Sequence, residues 1–127
     1  MKTDTVIVGA GVIGLAIAKE VSKEGREVVV LEANPRAGEE TSSRNSGVIH
    51  SGIYYPTGSN KAIFCVEGNR LLYEYVRNRN IGYRNTGKLV VATSKDEIER
   101  LEQLHAKGRE NGVEGLELLS KEKVEKM

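Results

Sequence analysis

The sequence predicts an α/β fold that begins with a strand, a helix and a second strand. Three observations support this prediction: an apolar tetrapeptide near the start of the chain, a glycine-rich turn directly after it, and a helical pattern that leads to a second apolar tetrapeptide. These features follow one another without interruption over residues 5–32. Since this order is typical of a parallel strand pair with a crossover helix, we expect a Rossmann-like βαβ unit.

The first strand is predicted at Thr5–Val8, and the turn Gly9-Ala10-Gly11-Val12-Ile13-Gly14 follows it. This spacing is typical of a dinucleotide-binding turn. Its first glycine permits a sharp bend, its second leaves room for a pyrophosphate, and its third lets helix and strand pack closely. An ordinary βαβ turn that binds nothing is the alternative. On the first interpretation, we expect cofactor contacts from Gly9, Gly11, Val12, Ile13 and Gly14.

A helix is predicted over residues 12–23, and a glycine two residues later ends it. The free amide groups and the positive dipole end at the start of such a helix attract phosphate. The second strand is predicted at Val28–Leu31, followed by Glu32, whose carboxylate can accept hydrogen bonds from ribose hydroxyls. We include the adjacent Ala33 in the expected site. A carboxylate here repels a 2′-phosphate, which disfavours NADP.

The composition excludes several classes of protein. The chain has 127 residues, 29% of them charged, and a net charge of +1, so it has the size of one average domain and no basic footprint for nucleic acid. Its one cysteine, Cys65, permits neither an internal disulfide nor a multi-cysteine metal site, and we expect no metal. We expect Cys65 to be a small buried helix residue.

The apolar residues 6–18 are interrupted by glycines and are too few to span a bilayer. The sequence therefore predicts no transmembrane segment. Together with the single cysteine, this favours a cytoplasmic location, with peripheral contact with a membrane left open.

Residues 37–58 are rich in Gly, Ser, Thr and Asn but also carry apolar side chains, so we expect a loop folded against the core or a ligand. Apolar residues at three- and four-residue steps then predict a helix from about Asn60 to Asn80. A strand is predicted at Lys88–Thr93. Ser94 and Glu97 have the spacing of a capping box, which predicts a helix that begins there.

That helix is expected to end near Asn111-Gly112, and Ser120 is expected to cap another helix. Because the chain ends at Met127, within one or two turns of Ser120, we expect a longer protein of which this is a part. The second half is interpreted as the start of another structural layer, a strand and then a helix.

The run Asn45-Ser46-Gly47-Val48-Ile49-His50-Ser51-Gly52-Ile53-Tyr54-Tyr55 is more specific than the glycine turn. With Cys65-Val66-Glu67-Gly68 and Gly87-Lys88-Leu89-Val90-Val91-Ala92, it resembles the FAD-dependent oxidoreductases related to D-amino acid oxidase. The resemblance covers essentially the whole chain. It is strongest to the branch that contains L-2-hydroxyglutarate dehydrogenases or oxidases and glycerol-3-phosphate oxidases.

The resemblance implies FAD as the cofactor, with the glycine turn at the pyrophosphate and Glu32 at the adenosine ribose. It implies that a set of loop residues lines the phosphates and the flavin: Thr41, Ser42, Arg44, Asn45, Ser46 and Gly47. It also places His50 beside the flavin. A histidine there can take the hydroxyl proton as a hydride leaves the substrate carbon, or it can only position other groups.

The resemblance further implies an FAD-binding segment at residues 1–80 and the beginning of a substrate-binding domain at 81–127. The implied reaction is oxidation of a 2-hydroxy acid, with L-2-hydroxyglutarate the first choice. A glycerol-3-phosphate oxidase or dehydrogenase is the closest alternative. A second is a non-catalytic nucleotide-binding fragment or subunit, whose exposed edges favour self-association or a partner chain.

Overall fold

Two parallel strands and the helix between them open the fold. In the computed structural model, which describes residues 2–127, β1 (Thr5–Val8) pairs with β2 (Val28–Leu31), and α1 (Val12–Ser22) connects them. The register sets each residue of β1 beside the residue 23 positions later, so that Thr5 faces Val28. Both strands consist largely of β-branched residues, which favour extended backbone. The predicted strands and helix are therefore confirmed.

Glycines shape the turn between β1 and α1. Gly9 has a φ of +98°, which a residue with a side chain adopts only at a cost, and its amide donates to the carbonyl of Leu31 at 2.7 Å. A Cβ added to Gly14 would overlap the carbonyl oxygen of Gly9 and lie 3.4 Å from the side chain of Ile7. The helix therefore approaches the strand more closely than any other residue at position 14 permits.

Three further helices follow in the second half of the chain. These are α2 (Asn60–Asn78), α3 (Lys95–Glu110) and the short α4 (Lys121–Val124). The predictions of all three helices are confirmed, including the capping of α4 by the hydroxyl of Ser120. Asn80, two residues after the end of α2, has a φ of +52°, and Gly112, two residues after the end of α3, has a φ of +81°. Left-handed residues there allow the following amides to bond back to the last turn.

The predicted strand at residues 88–93 is wrong, because this segment forms no ladder in the described part of the chain. A strand needs a partner for its amide and carbonyl groups, and the described sheet holds only β1 and β2. The capping box is also incomplete. Ser94 makes no side-chain cap, and Glu97 accepts from the amide and hydroxyl of Thr93 at 2.7 and 2.8 Å.

The chain divides into two units, the first ending at Val48 and the second spanning Ile49–Met127. In the second unit, a loop packs on α2 and α3 through two buried glycines. A Cβ on Gly52 would lie 2.8 Å from the side chain of Val66, and one on Gly108 would lie 2.9 Å from that of Ile53. Ala62 and Val76, both on α2, are the buried apolar side chains described in this unit.

Apolar side chains are widely exposed. Val8 on β1 is 84% exposed and Ile13 on α1 is 73% exposed, while Ala10 is the buried apolar residue described in the first unit. Within residues 2–127, the helices are all too short or too polar to cross a membrane.

We predict that Gly14→Ala destabilises the chain by about 1–3 kcal/mol, because the added methyl group meets backbone that cannot move aside. The matched control is Gly68→Ala in α2, where an added Cβ has no neighbour within 4 Å. That variant should gain about 0.5–1 kcal/mol from the higher helix propensity of alanine. Urea unfolding followed by circular dichroism measures both. Equal midpoints for Gly14→Ala and the unmodified chain would contradict the packing argument.

Candidate functional site

The carboxylate of Glu32 closes the glycine turn. Its Oε2 accepts from the amide of Ala10 at 2.7 Å, and its Oε1 accepts from the amide of Asn34 at 2.9 Å. The hydrogen bond from Asn34, followed by that from Ala10, lowers the pKa of Glu32 below its ordinary value. The side chain is exposed. A charged acceptor with free lone pairs therefore stands directly after β2, where the sequence predicted it.

The hydroxyl of Ser42 lies at the first turn of α1. Its Oγ accepts from the amide of Val12 at 2.9 Å, and a Cβ on Gly11 would lie 3.1 Å from the same oxygen. The predicted loop residue and the predicted phosphate-binding helix end are thus brought together. Because the start of a helix carries unpaired amides, an oxygen acceptor is the group that this position requires.

The rest of the predicted loop is organised by Asn45. Its amide nitrogen donates to the carbonyls of Thr41 and Ser42 at 2.9 and 3.1 Å, and its oxygen accepts from the amide of Gly47 at 2.8 Å. Gly47 has a φ of +65°. Asn45 therefore shapes the loop with both ends of its side-chain amide. Four predicted site residues are exposed in this unit, and their side chains make no hydrogen bond with the described residues: Ala33, Thr41, Arg44 and Ser46.

His50 belongs to the second unit, and its side chain is exposed. Its Nδ1 lies 2.9 Å from the hydroxyl of Tyr55, and the two rings are stacked with 7° between their planes. The amide of Asn69 donates to the His50 carbonyl at 3.0 Å. Nε2 makes no hydrogen bond with the described residues. In the tautomer in which Nδ1 carries the proton and donates to the Tyr55 hydroxyl, Nε2 has a free lone pair that can accept a proton.

Three polar residues of these arrangements were missed by sequence reasoning: Asn34, Tyr55 and Asn111. Asn34 follows Glu32 by two residues, a spacing at which local side-chain and backbone bonds are common, so this signal was available. Tyr55 was noted only as part of the motif. Asn111 was interpreted as a helix stop, and its amide group also bonds to the loop around Gly52.

Cys65 is a free cysteine of intermediate burial on α2, so it is less buried than predicted. Among residues 2–127, no group of three or more His, Cys, Asp or Glu side chains is placed to hold a metal ion.

The first unit fits the adenosine diphosphate part of a dinucleotide. Close packing at Gly14 brings the helix end beside the turn, and the contact of Ser42 with Val12 places an oxygen acceptor at that end. The carboxylate of Glu32 lies within hydrogen-bond distance of the same turn. Donors for phosphate and an acceptor for ribose hydroxyls are therefore present together.

Comparison with known proteins identifies a family. The model of the family described as FAD dependent oxidoreductase matches residues 4–127. The mitochondrial L-2-hydroxyglutarate dehydrogenase of Arabidopsis thaliana is 52% identical over 93% of this chain and 24% of its own length. The proteins of the same name from Dictyostelium discoideum and Homo sapiens are 47% and 46% identical, over 95% and 97% of this chain. The chain spans about a quarter of the length of these relatives and matches their N-terminal part.

The comparison corrects the predicted location. The relatives from all three organisms are named as mitochondrial proteins, so the cytoplasmic prediction is wrong. That prediction rested on a single cysteine and on an apolar stretch too short to span a bilayer. The single cysteine argues against an oxidising compartment, but neither feature distinguishes one reducing compartment from another.

We predict that Glu32 makes the stability of the chain depend on pH. Because its pKa is lowered in the folded chain, its contribution is fully present above the ordinary value of 4.5 and is lost as the pH falls through the lowered pKa. The difference in unfolding free energy between the unmodified chain and Glu32→Gln should therefore shrink on acidification. Urea midpoints measured from about pH 7 to about pH 3 test this.

Glu67→Gln is the control for this titration. Glu67 is exposed on α2 and makes no hydrogen bond with the described residues. Its substitution should leave the pH dependence of the midpoint unchanged. A Glu32→Gln difference that stays constant across the acid range would show that the carboxylate does not stabilise the turn.

Proposed function

The chain belongs to the family of FAD-dependent oxidoreductases, and on that premise we propose that its first unit binds the adenosine diphosphate part of FAD through a Rossmann-like turn. The contact between the Ser42 hydroxyl and the Val12 amide carries this proposal. It supports an oxygen-binding position at the start of α1, beside a glycine turn that Glu32 closes. These are the groups that a pyrophosphate and a ribose need.

The predicted cofactor residues act in groups in this proposal. The amides of residues 11–14 donate to the pyrophosphate, because those of Gly9 and Ala10 already bond to Leu31 and Glu32. Glu32 accepts from the ribose hydroxyls. Hydroxyl and amide side chains of the loop satisfy the polar edges of the phosphates and flavin without adding like charge, and Arg44 balances phosphate charge. The full set is Gly9, Gly11, Val12, Ile13, Gly14, Glu32, Ala33, Thr41, Ser42, Arg44, Asn45, Ser46 and Gly47.

We further propose that the protein containing this chain oxidises a 2-hydroxy acid, with L-2-hydroxyglutarate as the substrate. The names of the relatives, at 46–52% identity, support this choice. Bound FAD supplies the acceptor for the hydride that leaves the substrate carbon. His50 takes the hydroxyl proton at Nε2, while Nδ1 keeps its contact with Tyr55. In this proposal, residues 1–80 bind FAD and residues 81–127 begin the part that binds substrate.

The exposed apolar side chains favour a second candidate function, that of a nucleotide-binding part that needs a covering chain. Val8, at the end of β1, and Ile13, on α1, are each more than 70% exposed. Uncovered strands and apolar faces associate with other surfaces in water. A mass measurement in solution tests this candidate, since a stable monomer at all concentrations would argue against it.

We predict that the chain binds FAD and ADP, and that Glu32→Gln weakens binding of both by roughly tenfold or more. The reason is the loss of charge-assisted hydrogen bonds from the ribose hydroxyls to the carboxylate. Calorimetric titration with ADP measures the change. The unmodified chain should bind 2′-phospho-ADP more weakly than ADP, because the carboxylate repels the 2′-phosphate. In Glu32→Gln the preference for ADP over 2′-phospho-ADP should be smaller, because that carboxylate is absent.

Glu67→Gln should bind all three ligands as the unmodified chain does. If the unmodified chain bound neither FAD nor ADP at millimolar concentration, the nucleotide-binding proposal would be wrong. If the unmodified chain bound ADP and 2′-phospho-ADP equally well, the proposed contact between Glu32 and the ribose would be wrong.

We predict that L-2-hydroxyglutarate, added without oxygen to the FAD-loaded product of the complete gene, bleaches the visible absorbance of the flavin. Glycerol 3-phosphate should leave it unchanged.

His50→Asn should slow the bleaching by L-2-hydroxyglutarate by roughly 10²-fold or more, the contribution of a general base, while FAD remains bound. His105→Asn, on α3, is the control and should react at the original rate. Flavin that stays oxidised with L-2-hydroxyglutarate would reject this substrate, and bleaching by glycerol 3-phosphate would support the alternative oxidase.

A further inference from the structure

The ring of Tyr55 connects His50 to the start of α2 within the second unit. Its hydroxyl lies 2.9 Å from Nδ1 of His50, and the ring centroids are 6.4 Å apart. The ammonium group of Lys61 lies 4.5 Å from the centroid of the same tyrosine ring. A cation over the ring and a stacked imidazole both restrict the orientation of the Tyr55 side chain. The hydroxyl is therefore presented to Nδ1 in a defined direction.

The backbone of Tyr55 is in turn held by Asn111 at the end of α3. The Nδ2 group of Asn111 donates to the carbonyls of Gly52 and Tyr55, each at 3.0 Å. The same turn is closed by the Tyr55 amide, which donates to the Gly52 carbonyl at 3.3 Å. One side-chain amide thus binds both ends of the turn that carries Tyr55.

The side-chain orientation of Asn111 follows from its partners. Its Oδ1 is buried and makes no hydrogen bond with the described residues. The reversed orientation would put this oxygen against two carbonyl oxygens, which repel it. The Nδ2 group of Asn111 thus binds two carbonyls of one turn, while its Oδ1 has no hydrogen-bond partner among the described residues. Buried polar atoms usually have partners, so this side chain stabilises the turn although one of its own atoms stays unsatisfied.

We propose that Asn111 and Tyr55 are positioning residues that hold His50 in the tautomer with a proton on Nδ1 and a free lone pair on Nε2. Nδ1–H donates to the Tyr55 hydroxyl oxygen, and Asn111 fixes the turn on which that hydroxyl depends. The proposal rests on the proposed role of His50 as a base, since that role needs an unprotonated Nε2. The imidazolium formed by proton transfer keeps the same Nδ1–H bond.

The first test is Tyr55→Phe in this chain, with ¹⁵N NMR of the neutral His50 imidazole as the measurement. The unmodified chain should show the Nδ1–H tautomer in excess, and the variant should shift towards the Nε2–H form that free histidine favours. Tyr54→Phe is the matched control, because Tyr54 is the adjacent tyrosine and contacts Lys88 through its ring. It should leave the tautomer unchanged. An unchanged tautomer in Tyr55→Phe would overturn the proposal.

The second test is Asn111→Ala, compared with Thr57→Val. Thr57 also ties this loop to α3, through a hydrogen bond of 3.1 Å to Glu110, but it does not bind the turn at Tyr55. The alanine variant should shift the His50 tautomer as Tyr55→Phe does, and the valine variant should not. If both variants shifted the His50 tautomer equally, Asn111 would only attach the loop to α3, and its proposed positioning role would be wrong.

If Asn111→Ala fails to fold, the unmodified chain decides the role of Asn111. Its two Nδ2 protons should then exchange slowly with water, because both are hydrogen-bonded in a half-buried position. Exchange at the rate of a free asparagine would overturn the assignment of Asn111.

The complete flavin-loaded protein separates this proposal from the proposed function. Tyr55→Phe should lower kcat roughly tenfold with KM within about twofold, since only the transition state needs the oriented base. If His50→Asn leaves flavin reduction intact while Tyr55→Phe still shifts the tautomer, the proposed function fails and the positioning role stands. If His50→Asn abolishes reduction but Tyr55→Phe changes neither tautomer nor kcat, only the positioning role fails.

Discussion

The contact of backbone with backbone at Gly14 is the constraint on which the first unit depends. Because no Cβ separates α1 from the carbonyl of Gly9, the helix begins directly beside the end of β1. The amide of Gly9 extends the pairing with β2 by one hydrogen bond, to the Leu31 carbonyl. The same approach puts the first amides of α1 within reach of the loop after β2, where Ser42 contacts Val12.

The second unit relies on a different kind of contact. Few of its apolar side chains are buried; among the described residues of this unit they are Ala62 and Val76. Its loop is instead held by side-chain amides that donate to backbone carbonyls, from Asn69 to His50 and from Asn111 to Gly52 and Tyr55. Hydrogen bonds have directional preferences that apolar contacts lack, so such a loop keeps a defined backbone conformation with little core beneath it.

What the sequence predicted well is local. The strands β1 and β2 and the four helices have patterns that repeat within a few residues, and their bounds agree closely with the structure. The contact of Ser42 with Val12 joins positions 30 residues apart, and that of Asn111 with Gly52 joins positions 59 apart, so no local pattern indicates either. The failed strand at residues 88–93 has the same cause, since an apolar run becomes a strand only when a distant segment pairs with it.

The hydroxyl at the start of α1 has a thermodynamic consequence for any anion that arrives there. Because Ser42 already accepts from the Val12 amide, a phosphate oxygen replaces an existing intramolecular bond and does not fill an unmet need. The net gain is the difference between a charged and a neutral acceptor, which is smaller than the gross strength of either bond. The Val12 amide at the start of α1 therefore has a hydrogen-bond partner from the chain itself as soon as the chain folds. This segment can therefore fold whether or not an anion is present.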